Sequence, residues 1–133
     1  MDIYKEELTD HYRNPRNKGS LSAPDFSSQL HNPSCGDSCS WQGCISQGRV
    51  TALAFDGKGC VISQATASKL SVILVGKTVQ ECMALDGSFI RNLIGLELGP
   101  TRLRCALLPL QALQQGIARY SAQQGTAEGL EHA

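Results

Sequence analysis

Apolar residues along this chain change period twice, from about four to two and back, and the changes mark out its elements. Tyr4, Leu8 and Tyr12 recur every fourth residue, which predicts a short amphipathic helix stopped by Asn14-Pro15. Arg13 to Ala23 is polar and irregular and reads as a connector. Phe26, Ser28 and Leu30 then lie on one side of a first strand, after which Asn32-Pro33 turns the chain into a loop. Ser38 to Ile45 and Arg49 to Phe55 favour strand, with Gln47-Gly48 between them as a hairpin turn.

Beyond Cys60 the helical period returns. Ala65, Ala67, Leu70, Ile73 and Leu74 fit a helix over Ser63 to Val75 that Gly76 ends. Thr78-Val79-Gln80-Glu81 is a capping-box pattern, and Asp86 is placed to cap a further helix that ends near Gly95. Gly99-Pro100 breaks the chain before a last helix whose Ala106, Leu110, Leu113, Ile117 and Tyr120 form one stripe. Pro109 belongs in the first turn of that helix, where a missing N–H costs nothing. The order predicts an α+β fold: an N-terminal helix, a three-stranded antiparallel sheet, then helices packed on one sheet face.

Composition narrows the class. With 133 residues, 41% of them apolar, the chain suffices for one core, so residues 1–120 are expected to form a single domain and 121–133 a polar, frayed tail. Twelve basic and twelve acidic side chains cancel, which leaves no electrostatic footprint for nucleic acid or an anionic membrane. The start, Met1-Asp2-Ile3-Tyr4-Lys5, lacks the basic and apolar regions of a signal peptide, and no stretch is long and apolar enough to span a bilayer. The expected location is cytoplasmic. Six cysteines in that reducing compartment are expected to remain thiols unless a metal or catalysis uses them.

Three cysteines carry the candidate chemistry: Cys35 in Asn32-Pro33-Ser34-Cys35-Gly36-Asp37, Cys60 in Gly57-Lys58-Gly59-Cys60, and Cys105 in Arg102-Leu103-Arg104-Cys105. With Asp37 they make a mixed thiolate and carboxylate set suited to Zn²⁺ or iron. Cys60 and Cys105 each stand just before an expected helix, where exposed amides favour thiolate, and Arg102 and Arg104 add positive charge beside Cys105. Gly36, Gly57 and Gly59 supply backbone freedom around the loops. Against this reading, buried cysteines often only pack, and Asp37 has a plain use as a turn or cap residue. Cys39 and Cys44 have opposite strand parity and Cys82 falls within a short helix, so packing is their expected role. His31 is expected to be a surface histidine.

The motifs, in order, resemble the U-type iron-sulfur cluster assembly scaffold family, which includes IscU, SufU and the N-terminal domain of NifU. The resemblance rests on His11-Tyr12-Arg13-Asn14-Pro15-Arg16-Asn17, the Cys35 loop through Asp37, Gly57 to Ser63 followed by Ala65-Thr66-Ala67-Ser68, and Arg102 to Ala106. It covers the chain from Tyr4 to about Tyr120. It implies a SufE/NifU-like fold, with Cys35, Asp37, Cys60 and Cys105 as metal and cluster ligands. It also implies persulfide sulfur from a cysteine desulfurase, with Cys105 or Cys60 as acceptor, and transfer of a [2Fe-2S] cluster to apo iron-sulfur recipient proteins.

Three departures qualify what is implied. IscU-like members have histidine immediately before the third cysteine, where this chain has Arg104. SufU-like members lack that histidine too, but usually carry an insertion that Val61 to Arg104 is too short to hold. The Leu-Pro-Pro-Val-Lys chaperone motif is replaced by Leu98-Gly99-Pro100-Thr101-Arg102, so the resemblance does not extend to Hsp70 recognition. The leading expectation is a scaffold without turnover of its own. The alternative is a zinc-dependent sulfurtransferase that accepts persulfide from the desulfurase.

Overall fold

The computed structural model describes residues 3–34 and 36–132, with side chains as far as Gln124. Helix α1 (Ile3–Arg13) precedes strands β1 (Phe26–His31), β2 (Ser38–Ser46) and β3 (Arg49–Lys58). Helices α2 (Val61–Ile73), α3 (Val79–Met83), α4 (Gly87–Ile94) and α5 (Pro100–His132) follow. The strands form one antiparallel sheet in the order β1-β2-β3, as the alternation predicts. Gln47 and Gly48 both take positive φ (54° and 75°), which matches the twist of a two-residue hairpin between β2 and β3. The connector covers the outer edge of β3, where the Gly19 amide donates to the Phe55 carbonyl and the Phe55 amide to that of Asn17.

Alternation sets the inner face. Phe26 and Ser28 of β1, Cys39, Trp41 and Ile45 of β2, and Val50 and Phe55 of β3 are buried. Helix α5 lies against β1 and β2, and α2 against β3 and α1. Of the predicted stripe, Ala106, Leu110, Leu113 and Ile117 are buried and Tyr120 is half-buried against the core. Local caps also stand where expected. Thr78 Oγ1 accepts the Glu81 amide at 3.0 Å while the Glu81 carboxylate accepts the Thr78 amide at 3.1 Å. Asp86 accepts the Phe89 amide at 3.1 Å. Gly95 ends α4 with φ 71°, and a Cβ there would stand 2.1 Å from the Tyr4 ring.

Helix α5 corrects one expectation. It starts at Pro100, with the Leu103 amide donating to the Gly99 carbonyl, and Pro109 lies well inside it. An interior proline costs about 3 kcal/mol. Here the apolar stripe and a buried bond from Trp41 Nε1–H to the Pro109 carbonyl (2.9 Å) hold the helix together across it. Cys105 is therefore in the second turn of α5, away from the helix start.

The His11-to-Asn17 motif works as a clamp between α1, the connector and α2. Lys69, buried on α2, donates to Glu7 of α1 (2.9 Å) and to the Leu93 carbonyl at the end of α4 (3.1 Å). Ser71 Oγ lies 2.7 Å from the Ser68 carbonyl within α2 and 3.1 Å from the Arg16 carbonyl. Ser68 Oγ accepts the Arg16 amide at 2.9 Å and lies 2.7 Å from His11 Nδ1. Burial, aided by the charges of Arg16 and Lys69, holds the His11 pKa below its ordinary value. The neutral imidazole and the Ser68 hydroxyl share one hydrogen bond through Nδ1.

That depression fixes a sign. His11 is neutral in the fold but protonates near pH 6.5 in the unfolded chain, so its contribution is complete above about pH 6.5 and is lost as pH falls toward the folded pKa. In urea melts, the unfolding midpoint should drop between pH 7.5 and 5.5, and His11→Gln should flatten that drop. An equal drop in both proteins would remove His11 from the account.

Candidate metal centre

Asp37 reaches the centre from a tight loop that leads into β2. The Gly36 amide donates to the Asn32 carbonyl (2.9 Å), the Asn32 amide to the Asp37 carbonyl (2.8 Å), and the Ser34 amide to Asn32 Oδ1 (3.0 Å). Gly36 takes φ 77°, which a side chain would disfavour. The loop delivers a carboxylate that is only 3% exposed. Such a group needs partners to offset its lost hydration.

Those partners sit at the start of α2. Asp37 Oδ1 accepts the Cys60 amide at 3.2 Å, and Oδ2 lies 3.5 Å from Cys60 Sγ. Cys60 is the N-cap residue of α2, in extended backbone geometry, and its side chain makes no capping bond. It is exposed to solvent. Cys105, 5% exposed, comes in from α5. One ligand atom from each of Asp37, Cys60 and Cys105 lies within 4.8 Å of the other two.

The spacing suits a small metal ion. Zinc–sulfur and zinc–oxygen bonds of about 2.3 and 2.0 Å at tetrahedral angles put sulfur and oxygen about 3.5 Å apart and two sulfurs about 3.8 Å apart. The observed 3.5 Å between Asp37 Oδ2 and Cys60 Sγ meets the first of these. Two soft sulfurs and one harder oxygen fit zinc or iron. Among the described residues these three make the candidate donor group, and Cys35 lies outside the described residues.

Neighbouring groups sort themselves by direction. A cleft of about 500 Å³ beside Cys60 and Cys105 has apolar walls from Leu8, Ile62 and Leu96 and is also lined by Arg102. Arg104 lines a separate cleft of about 290 Å³ with His31 and Asn32. The two arginines thus flank Cys105 on different sides. Cys39 and Cys82 are buried in the core, apart from the donor group, and burial pushes both thiols up, Cys39 to about 12 with some help from the Asp56 charge. Cys44 faces the other side of the sheet, 3.6 Å from the Ala23 carbonyl. Gly57 pairs with Cys39 inside β3, where a Cβ would stand 2.3 Å from the Ser38 carbonyl, so its role is strand packing rather than loop freedom. Sequence reasoning passed over Ser63, which proves to be a buried hydroxyl beside Cys60; the available signal was a serine three residues after a helix-starting cysteine.

Comparison with known proteins places the chain as a whole. The NifU-like N terminal domain family matches residues 3–127. The zinc-dependent sulfurtransferase SufU of Bacillus subtilis (strain 168) is 31% identical over 134 residues, covering 88% of this chain and 90% of that protein. The iron-sulfur cluster assembly scaffold protein IscU of Haemophilus influenzae is 34% identical over 126 residues, covering 92% and 98%. In fold, the N-terminal part of a nitrogen-fixing NifU-like protein from Brucella abortus superposes with a TM-score of 0.74 at 23% identity, over 90% of this chain and 95% of that one.

Gly59 is the tightest test of the centre. Its φ is 152°, and a Cβ would stand 2.5 Å from Asp37 Oδ1 and 2.7 Å from Ser63 Oγ. Gly59→Ala should displace the carboxylate, weaken zinc binding by about tenfold or more and cost about 1–3 kcal/mol of stability. Competition with a chromophoric chelator reads the affinity. Unchanged affinity would mean that Asp37 is not a ligand.

Proposed function

This chain belongs to the NifU-like N terminal domain family, and on that premise we propose that it is a scaffold on which an iron-sulfur cluster is assembled and then passed on. The convergence of Asp37, Cys60 and Cys105 within 4.8 Å carries the reading. Cys35 joins them as the fourth proposed ligand on the strength of the motif it shares with Asp37. A [2Fe-2S] cluster is the cargo, a cysteine desulfurase the sulfur donor, and apo iron-sulfur proteins the recipients. When a metal is bound, it keeps the ligating sulfurs deprotonated and offsets the negative charge of the donor set.

The residues divide the work by exposure. Cys60 is the more exposed of the two and offers a partner's persulfide the nearer target, whereas Cys105 is reached through the apolar cleft beside it. Attack by a chain thiolate on the terminal sulfur forms one S–S bond and breaks another. The partner's cysteine leaves as thiolate, and no oxidant is required. Asp37 is the harder, weaker ligand, which suits a position that must exchange.

One observation favours the second reading, a zinc-dependent sulfurtransferase. Arg104 occupies the position of the scaffold-type histidine and lines the cleft with His31 and Asn32 rather than the one with Cys60. No nitrogen ligand joins the candidate group among the described residues. Asp37, Cys60 and Cys105 would then hold zinc, which would keep their sulfurs deprotonated for sulfur transfer.

Anaerobic purification, zinc and iron analysis, and reconstitution with iron, sulfide and thiol separate the readings. The scaffold should give a visible [2Fe-2S] chromophore that both Cys60→Ala and Cys105→Ala abolish. Retained zinc without a chromophore, together with a rise in desulfurase turnover, would overturn the scaffold in favour of sulfur transfer.

A further inference from the structure

Ser63 is the third residue of α2 and only 1% exposed. Its hydroxyl donates to the Cys60 carbonyl over a long 3.2 Å, and the same oxygen stands 3.9 Å from Cys60 Sγ. It also borders Asp37. The point where a Gly59 Cβ would fall is 2.5 Å from Asp37 Oδ1 and 2.7 Å from Ser63 Oγ, so Asp37 and Ser63 wall the same small space. A serine that served only the first turn of a helix has no need to be buried beside two of the three donors of a metal centre.

We infer that Ser63 is a positioning residue of this centre, holding Cys60 Sγ toward Asp37 and Cys105 by hydrogen-bonding to its ligating sulfur. The inference rests on the metal-binding reading above. A hydroxyl carries a single hydrogen. Beside a neutral thiol that hydrogen goes to the Cys60 carbonyl; beside a negatively charged, metal-bound sulfur, the sulfur is the better acceptor. Reorienting it takes rotation about the Cβ–Oγ bond and a small approach of the two side chains. The bond then fixes the Cys60 rotamer and draws electron density from the sulfur. Groups that orient ligands in this way typically change metal affinity 10- to 100-fold.

Cobalt(II) is the probe, because thiolate-to-cobalt charge transfer reports on the sulfur itself. Wild type, Ser63→Ala and Ser63→Thr are titrated with Co²⁺ anaerobically, with far-UV circular dichroism and thermal melts on each metal-free protein. The expected result is a folded Ser63→Ala that binds about tenfold more weakly, with its charge-transfer band moved to longer wavelength and both properties restored in Ser63→Thr. Unchanged affinity and band in Ser63→Ala would overturn the inference. So would a lower melting temperature with an unmoved band, since the hydroxyl would then serve the helix alone. A wild type without any charge-transfer band would instead bring down the reading of the centre, and this inference with it.

Discussion

Asp37 joins the sheet to the helices at the point where chemistry is expected. Its carboxylate is buried, yet it takes the amide of Cys60 at the start of α2 and lies 3.5 Å from the Cys60 sulfur. A buried carboxylate is costly unless hydrogen-bond donors, cations or a metal replace its hydration. The Cys60 amide is such a partner, and the geometry that supplies it constrains much else. The loop before β2 must turn through Gly36, and Gly59 must lack a side chain. The β2–β3 register must also bring Lys58 opposite Ser38, so that α2 begins beside the carboxylate.

The orientation of α2 is set from its other side. Ser68, Lys69 and Ser71 bind His11, Glu7 and the Arg16 backbone, while Lys69 also reaches the end of α4. These bonds tie three segments to one helix face, with α5 packed against the same helix. The polar N-terminal motif thus acts on the centre indirectly. It fixes the helix whose first residues hold Cys60, and it contributes no ligand.

Features decided by neighbouring residues were legible in the sequence, and features decided across the fold were not. The capping box at Thr78 and Glu81, the Asp86 cap, the Gly95 terminus and the Gln47-Gly48 turn each depend on a few consecutive residues, and each stands where their chemistry puts it. Strand parity likewise placed Cys39 and Cys44 on opposite faces. Pro109 misled because its cost is local while its compensation is distant: Trp41 binds its carbonyl across 68 positions of sequence. That error moved Cys105 to a helix start, although its membership of the donor group does not depend on it. The divergence of Arg102 and Arg104 into separate clefts also follows from how α5 packs, which spacing alone does not specify.

Burial then separates thiols that composition counts alike. Cys39 and Cys82 lie in the core with their thiols pushed up, so they stay protonated and outside the chemistry. Cys105 is nearly enclosed and Cys60 is not, although their sulfurs approach within 4.8 Å. The contrast leaves one of the two cysteines enclosed by α5 packing and the other facing solvent. The N-cap of α2 sharpens it, because a serine or aspartate there would satisfy a free amide and stabilise the helix by about 1 kcal/mol. Cys60 makes no such bond. Asp37 instead accepts the amide of Cys60 itself, so the start of α2 is held by a residue from another element while the sulfur lies 3.5 Å from Asp37 Oδ2. A capping side chain would be bent back over the first turn of its helix; this one is left to point toward Asp37 and Cys105, at the cost of a local bond that the rest of the fold offsets.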